Sequence, residues 1–176
     1  MRKLLLHTCC APCVIIPAER TISDFDITCF FFNPNIHPET EYIQRLDELK
    51  NYLKLKKIKL IEQEYDVSQW FKEVKGLEDE PEGGKRCEVC FRMRLERTAR
   101  YAKKNSFDAF TTVMSISPHK NAKLLNEIGN EMSQKYDIEY MEANFKKQDG
   151  FKLSVEKSKQ YHLYRQDYCG CVFSKR

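Results

Sequence analysis

The chemistry legible in this 176-residue chain lies in its eight cysteines and their grouping. Cys9, Cys10 and Cys13 lie together, Cys87 and Cys90 form a C-x-x-C, and Cys169 and Cys171 flank a single glycine. Cys29 stands alone in an apolar run and reads as a core residue, because a free cysteine behaves as a small hydrophobe. The apolar run Leu4-Leu5-Leu6 is too short for a signal peptide. In a cytoplasmic protein such a set is expected to bind metal or do redox chemistry rather than form a disulfide framework.

Cys9, Cys10, Cys87 and Cys90 together supply four thiolates, the number that a [4Fe-4S] cluster requires. Zinc is the competing reading, since two cysteine pairs also make a closed tetrahedral site. Adjacent cysteines are unlike zinc knuckles, however, and a zinc site leaves three further cysteines unexplained. Cys169-Gly170-Cys171 has two readings of its own. A disulfide across one residue closes a strained, easily reduced ring. Alternatively, the pair joins Cys13 in holding a second metal ion.

These groups need a scaffold that brings remote segments together. Short apolar runs alternate with longer amphipathic ones, the pattern of crossover units in a mostly parallel α/β sheet. Strands are expected over 3–8, 27–32, 59–65, 109–113 and 138–143. Helices are expected over 11–23, 38–56, 67–74, 88–104, 121–136 and 153–164, with Gly129 weakening the fifth. Neither repeat nor linker interrupts the chain, so one domain spanning 1–176 is expected. In such a sheet ligands bind beyond the carboxyl ends of the strands, and Cys9, Cys10 and Cys13 follow the first strand directly. That first turn, His7 to Cys13, has no glycine, and anionic thiolates there would repel phosphate, so ATP use is not expected.

The formal net charge is only +4. Residues 85–104 nevertheless carry eight Lys or Arg against Glu88 and Glu96, whereas residues 62–82 carry eight acids against Lys72 and Lys75. A basic helix beginning beside Cys87 could hold nucleic-acid phosphates, with Arg92, Arg94 and Arg97 as its patch. A solvated helix face accounts for the same run. Apolar stretches are too short to span a bilayer, so no membrane partner is expected.

The ordered set of motifs resembles the QueH-type epoxyqueuosine reductases of tRNA queuosine synthesis. The matching segments are Leu5-Leu6-His7-Thr8-Cys9-Cys10-Ala11-Pro12-Cys13, Phe32-Asn33-Pro34-Asn35-Ile36, Arg86-Cys87-Glu88-Val89-Cys90, Thr111-Thr112 through Ser117-Pro118, and Tyr164-Arg165-Gln166 through Cys171. The resemblance implies a Rossmann-like sheet of the ATP-pyrophosphatase (HUP) class, with helices on both faces. It also implies a [4Fe-4S] cluster on Cys9, Cys10, Cys87 and Cys90, and a redox role for Cys169 and Cys171, with a second metal ion, iron, as the other reading. The implied substrate is epoxyqueuosine at the wobble position of tRNA, reduced to queuosine with electrons from a separate donor. Asp167, His7 and Tyr168 are candidate proton donors. A zinc-stabilised RNA-binding module and a sulfur carrier in tRNA thiolation are the alternatives.

Overall fold

The computed structural model describes residues 1–175. Five strands form one sheet: β1 (Arg2–His7), β2 (Phe25–Phe31), β3 (Lys59–Glu62), β4 (Ala109–Thr112) and β5 (Glu139–Tyr140). Every neighbouring pair is parallel and the order is β3-β2-β1-β4-β5. The helices are α1 (Ala11–Thr21), α2 (Glu39–Lys56), α3 (Val67–Glu73), α4 (Lys85–Lys104), α5 (Ala122–Tyr136) and α6 (Gly150–Gln160). This is the Rossmann-like α/β sheet expected from the alternation of apolar runs.

Successive side chains of a strand face opposite ways, and the two cores divide along that alternation. Leu6, Cys29 and Phe31 pack with Val14 and Ile15 of α1 and with Leu49 and Leu53 of α2. Leu5, Phe30 and Phe110 pack on the other face, with Phe91 and Leu95 of α4 and with Leu125 and Ile128 of α5. The central strands are therefore buried on both faces, which is why they read as continuous apolar runs.

Most helix ends follow local chemistry. Pro38 precedes α2, and Lys57 closes it in the left-handed conformation at φ 57°. Asn121 caps α5, its side chain accepting from the Leu124 amide at 3.2 Å. Gly129 lies inside α5 for a packing reason: a β-carbon there would run into the Tyr140 ring.

Four expectations need correction. β3 ends at Glu62 rather than 65, and α4 begins at Lys85 rather than 88 and so takes in Arg86 and Cys87. The last strand and the last helix differ as well. The last strand ends at Tyr140 and does not continue to 143, because later amides are claimed elsewhere: Ala143 N–H donates to Asn126 Oδ1 and Phe145 N–H to Ser115 Oγ, each at 3.2 Å. The last helix runs over Gly150–Gln160 rather than 153–164. It stops where His162 turns left-handed at φ 53° and Leu163 N–H reaches back to the Ser158 carbonyl at 2.9 Å. Residues 161–171 are thereby freed from helix and run back over α2.

Candidate metal and redox centre

In the order β3-β2-β1-β4-β5 the direction of winding reverses between β1 and β4, so the crevice forms beyond their carboxyl ends. Cys10 is the N-cap of α1, in extended conformation, and Pro12 follows within the first turn. The turn that presents it is braced: Asn33 Nδ2 donates to the Thr8 carbonyl at 2.9 Å and Thr8 N–H donates to the Phe30 carbonyl at 2.9 Å. The sulfurs of Cys9, Cys10 and Cys13 lie within 4.8 Å of one another, close enough to share one metal ion. Cys10 and Cys13 form the closest sulfur pair of the three, a contact that fits a shared metal ion or a redox pair. Gln166 Nε2 donates to Cys10 Sγ at 3.0 Å from the C-terminal segment.

The second group sits on the first two turns of α4. Gly84 is the N-cap, and Cys87 and Cys90 are one turn apart on the same face. Cys87 Sγ accepts from the Gly83 amide at 3.2 Å, with Gly83 at φ +87°. The acidic loop before the helix is folded back by buried Arg86, which donates to the carbonyls of Leu77, Glu78 and Glu80. Cys90 is buried against Trp70, Val74 and Cys171.

The third group is held by α2 and the segment before it. Buried Arg45 donates to the carbonyls of Cys169 (2.9 Å) and Tyr168 (3.1 Å), and its Nε pairs with Glu41 at 2.7 Å. His37 N–H donates to the Gly170 carbonyl at 2.7 Å, and Val172 N–H donates to His37 Nδ1 at 3.2 Å. Gly170 is at φ +133°, and a β-carbon there would stand 3.0 Å from Ile36 Cγ1 and 3.2 Å from Arg45 Nη1. The glycine of the C-x-C is therefore a structural requirement, since the backbone must turn left-handed against a wall. Cys169 and Cys171 are free thiols in this structure.

Charge ties the three groups together. Arg94, two turns beyond Cys87 on α4, is 1% exposed and feels the thiols of Cys90, Cys169, Cys9 and Cys87. Burial raises the Cys90 and Cys87 thiols above the ordinary range. Cys169 goes the other way: burial would raise its thiol, but Lys120, Arg94 and Arg45 outweigh burial and Glu82 and bring it down. Lys120 reciprocates, its ammonium kept charged against burial by Cys169 and Cys9. A cavity of about 240 Å³ opens beside these sulfurs, walled by Cys9, Cys13, Ser117, Lys120, Asp167 and Cys169 among others.

Residues 4–176 match the family model described as epoxyqueuosine reductase QueH. Curated relatives bearing that name are 44% identical in Histophilus somni, over 99% of this chain and 72% of the relative. In Acinetobacter baylyi the figures are 44%, 99% and 81%. The Thermotoga maritima relative is 37% identical over 99% of this chain and 91% of its own. The chain belongs to the QueH family.

Within this QueH chain Cys9, Cys10 and Cys13 lie close enough to share one ion. Cys87 and Cys90 are not part of that close group among the described residues, and the two sets are linked through the buried charge of Arg94. The basic patch divides. Arg94 is buried and turned toward the sulfurs, so it is removed from the set of phosphate-facing residues; it shares the face of Cys87 and Cys90, which points inward. Arg92 stays at the surface but pairs with Glu131 and Glu88, and Arg97 pairs with Glu64 and lies over the Phe32 ring. His7 is no proton donor. It is fully buried, Nε2–H donating to the Phe32 carbonyl and Nδ1 accepting from Thr112 Oγ1, each at 3.1 Å. Burial first, then Arg94, pushes its pKa down to about 3. Tyr168 commits its hydroxyl to the His37 carbonyl. Cys29 is buried, its thiol pushed up to about 12 by burial, as befits a core residue.

Sequence reasoning missed Lys120, Arg45 and the C-x-x-C spacing of Cys10 and Cys13. The last was readable, since two cysteines three apart at a helix start are a redox pattern in their own right. Arg94 was readable too, four residues after Cys90. Lys120 and Arg45 carry no local signal, because only the tertiary fold brings them to the sulfurs.

Proposed function

We propose that this chain reduces the epoxide of epoxyqueuosine in tRNA to the alkene of queuosine, using electrons that pass through an iron-sulfur centre at the carboxyl edge of β1 and β4. Family membership supports the reaction. The observation that supports the site is the cavity at the sulfurs, whose wall includes Cys9 and Cys13 of the first group together with Cys169 of the last.

The donor set fits an iron-sulfur centre. Its first ligands are soft thiolates, and buried Arg94 Nη2 and Trp70 Nε1 have no hydrogen-bond partner within the protein. In this reading Cys9, Cys10, Cys87 and Cys90 hold a [4Fe-4S] cluster, which supplies electrons one at a time when bound. Cys169 and Cys171 form the second redox element or, with Cys13, hold a second metal ion, iron, that polarises the epoxide oxygen. Removing the epoxide oxygen as water consumes two electrons and two protons, so a second element beside the cluster answers the stoichiometry.

The chain's own side chains do the rest. The cavity admits the epoxide-bearing ring while the tRNA stays outside. Lys120, a cation on the cavity wall, donates a hydrogen bond and then one proton to the departing oxygen, and solvent supplies the second proton that completes the water. Asp167 is another polar group on that wall, with Ser117, His119 and Arg165. Arg92 and Arg97 face the RNA side as a screened patch, their charge already shared with Glu131, Glu88 and Glu64. An external reductant reloads the centre. No helix among the described residues is long and apolar enough to cross a membrane.

One observation favours a second reading. Cys9, Cys10 and Cys13 are near enough to share a single ion, three of the four ligands that the closed zinc site of an RNA-binding module would need. Anaerobic purification with iron, sulfide and zinc counts decides between them, together with turnover of epoxyqueuosine-containing tRNA under a chemical reductant. Iron and sulfide in about equal amounts, with queuosine formed, support the reductase. Stoichiometric zinc in colourless, inactive protein would sink it. Undiminished turnover by Cys171→Ser would remove the redox or second-metal role of the C-terminal pair.

A further inference from the structure

Two buried hydrogen-bond donors near Cys90 lack a protein acceptor. Arg94 is 1% exposed; its Nε makes only a long 3.4 Å bond to the Cys90 carbonyl, and Nη2 has no partner. Arg92 and Arg97 on the same helix meet carboxylates, whereas the ionisable groups around Arg94 are the thiols of Cys90, Cys169, Cys9 and Cys87. Trp70 is also 1% exposed, and its Nε1 lies near enough to Cys90 to favour the thiolate while lacking a full hydrogen bond of its own. Its ring is fixed on three sides by His37, Phe71 and Phe173, with centroids 4.9, 5.2 and 6.1 Å away, so the N–H cannot turn elsewhere without breaking that stack.

A buried cation left without hydrogen bonds is strongly disfavoured, and so is a buried indole N–H aimed at nothing. Both are accounted for if the acceptors are sulfurs carrying more negative charge than a protein thiol does. Metal-bound thiolate and bridging sulfide are such acceptors, and their charge grows when the centre is reduced.

We propose that Arg94 and Trp70 donate hydrogen bonds to the sulfurs of the metal centre and thereby raise its reduction potential, Arg94 adding the compensating positive charge. They are positioning and tuning residues and not catalytic ones, since neither lines the substrate cavity. The inference rests on the iron-sulfur reading above. Its direction follows from electrostatics: N–H donors and a fixed cation stabilise the more negative, reduced state. Loss of either donor therefore makes the centre harder to reduce.

The test uses the full chain, loaded anaerobically with ferrous iron and sulfide, in four forms: parent, Trp70→Phe, Arg94→Lys and Arg94→Gln. Iron and sulfide are counted, and the midpoint potential is read by titrating the visible absorption. The expected result is parent-like iron content with the midpoint moved to more negative potential in Trp70→Phe and Arg94→Gln. Arg94→Lys keeps the charge but loses the planar fork, so its shift is smaller. Should Arg94→Gln fail to fold, Trp70→Phe and Arg94→Lys decide alone. Loaded variants whose midpoint equals the parent's, or lies above it, would overturn the inference while leaving the reductase reading intact. A parent that takes up no iron and sulfide overturns both.

Discussion

Arg45 and Cys169 stand 124 positions apart in the chain and are joined by one hydrogen bond, in which Arg45 Nη1 donates to the Cys169 carbonyl at 2.9 Å. The same guanidinium holds the Tyr168 carbonyl and pairs with Glu41, and it lies 5.3 Å from the Tyr168 ring centre. A buried side chain on α2 thus fixes the backbone that carries the last two cysteines. Arg45→Met is expected to destabilise the fold by about 2–4 kcal/mol, the scale of removing one member of a buried, hydrogen-bonded ion pair. Urea unfolding measures that loss. Alkylation of Cys169 should accelerate alongside it, and an unchanged rate would show that Arg45 does not hold this segment.

Gly170 presses the same segment against the protein. At φ +133°, facing Ile36 and Arg45, it tolerates no β-carbon without strain. Gly170→Ala should cost about 1–3 kcal/mol, from the unfavourable backbone region alone, and more if Ile36 cannot yield. Because the strain falls between Cys169 and Cys171, turnover is expected to drop more than tenfold even at temperatures where the variant stays folded. Activity and thermal unfolding measured on one preparation separate the two effects.

His37 makes the docking of the tail depend on pH. Nε2–H donates to the Pro34 carbonyl at 3.0 Å while Nδ1 accepts from Val172 N–H, an arrangement that only the neutral ring provides. Burial lowers its pKa below the ordinary 6.5, and the Pro34 bond only partly opposes this. The undocked ring, near 6.5, then binds a proton that the docked ring refuses. Docking is complete above that value and weakens as pH falls below it. Hydrogen exchange at Val172, corrected for the intrinsic pH dependence, should lose protection between about pH 7 and 5. His37→Phe should abolish the pH dependence, since its ring can still stack on Trp70 and Phe71 but cannot titrate.

How much of this was legible in the chain differs by element. The strands of the sheet's centre were, because burial on both faces leaves a continuous apolar run such as Leu4-Leu5-Leu6 or Ile27 to Phe32. The fifth strand was overextended because Met141 and Ala143 are apolar, although the sheet no longer holds the Ala143 amide; Asn126 and Ser115 take the backbone there, and nothing local announces it. The three cysteine groups were readable by spacing, and the glycine in the C-x-C by its conformational freedom. The sign of each charge was readable too, but not its address. Arg92, Arg94 and Arg97 look alike as a basic run, yet helical periodicity sends Arg94 inward beside Cys90 and leaves the other two to carboxylates. Lys120 and Arg45 were invisible because their partners come from segments far away in sequence.

Cys29 and Cys169 should mark the two extremes of thiol reactivity in the reduced, metal-free chain. Cys29 is sealed between β1 and α2, where burial pushes its thiol up to about 12, with a weak opposing bond from Thr8. At pH 8 it is a protonated thiol with no route for a reagent. Cys169 borders the cavity, and Lys120 and Arg94 overcome burial to favour its thiolate. The thiolate is the nucleophile, so both access and ionisation select Cys169. Brief iodoacetamide treatment at pH 8, followed by peptide mass spectrometry, should label Cys169 early and Cys29 only after denaturation. Lys120→Met removes the strongest favourable charge and should slow Cys169 labelling several-fold without exposing Cys29. Labelling of Cys29 at a rate comparable to Cys169 in the folded protein would contradict the packing of the β1–β2 core as well as the charge argument, because no thiolate forms where water does not reach.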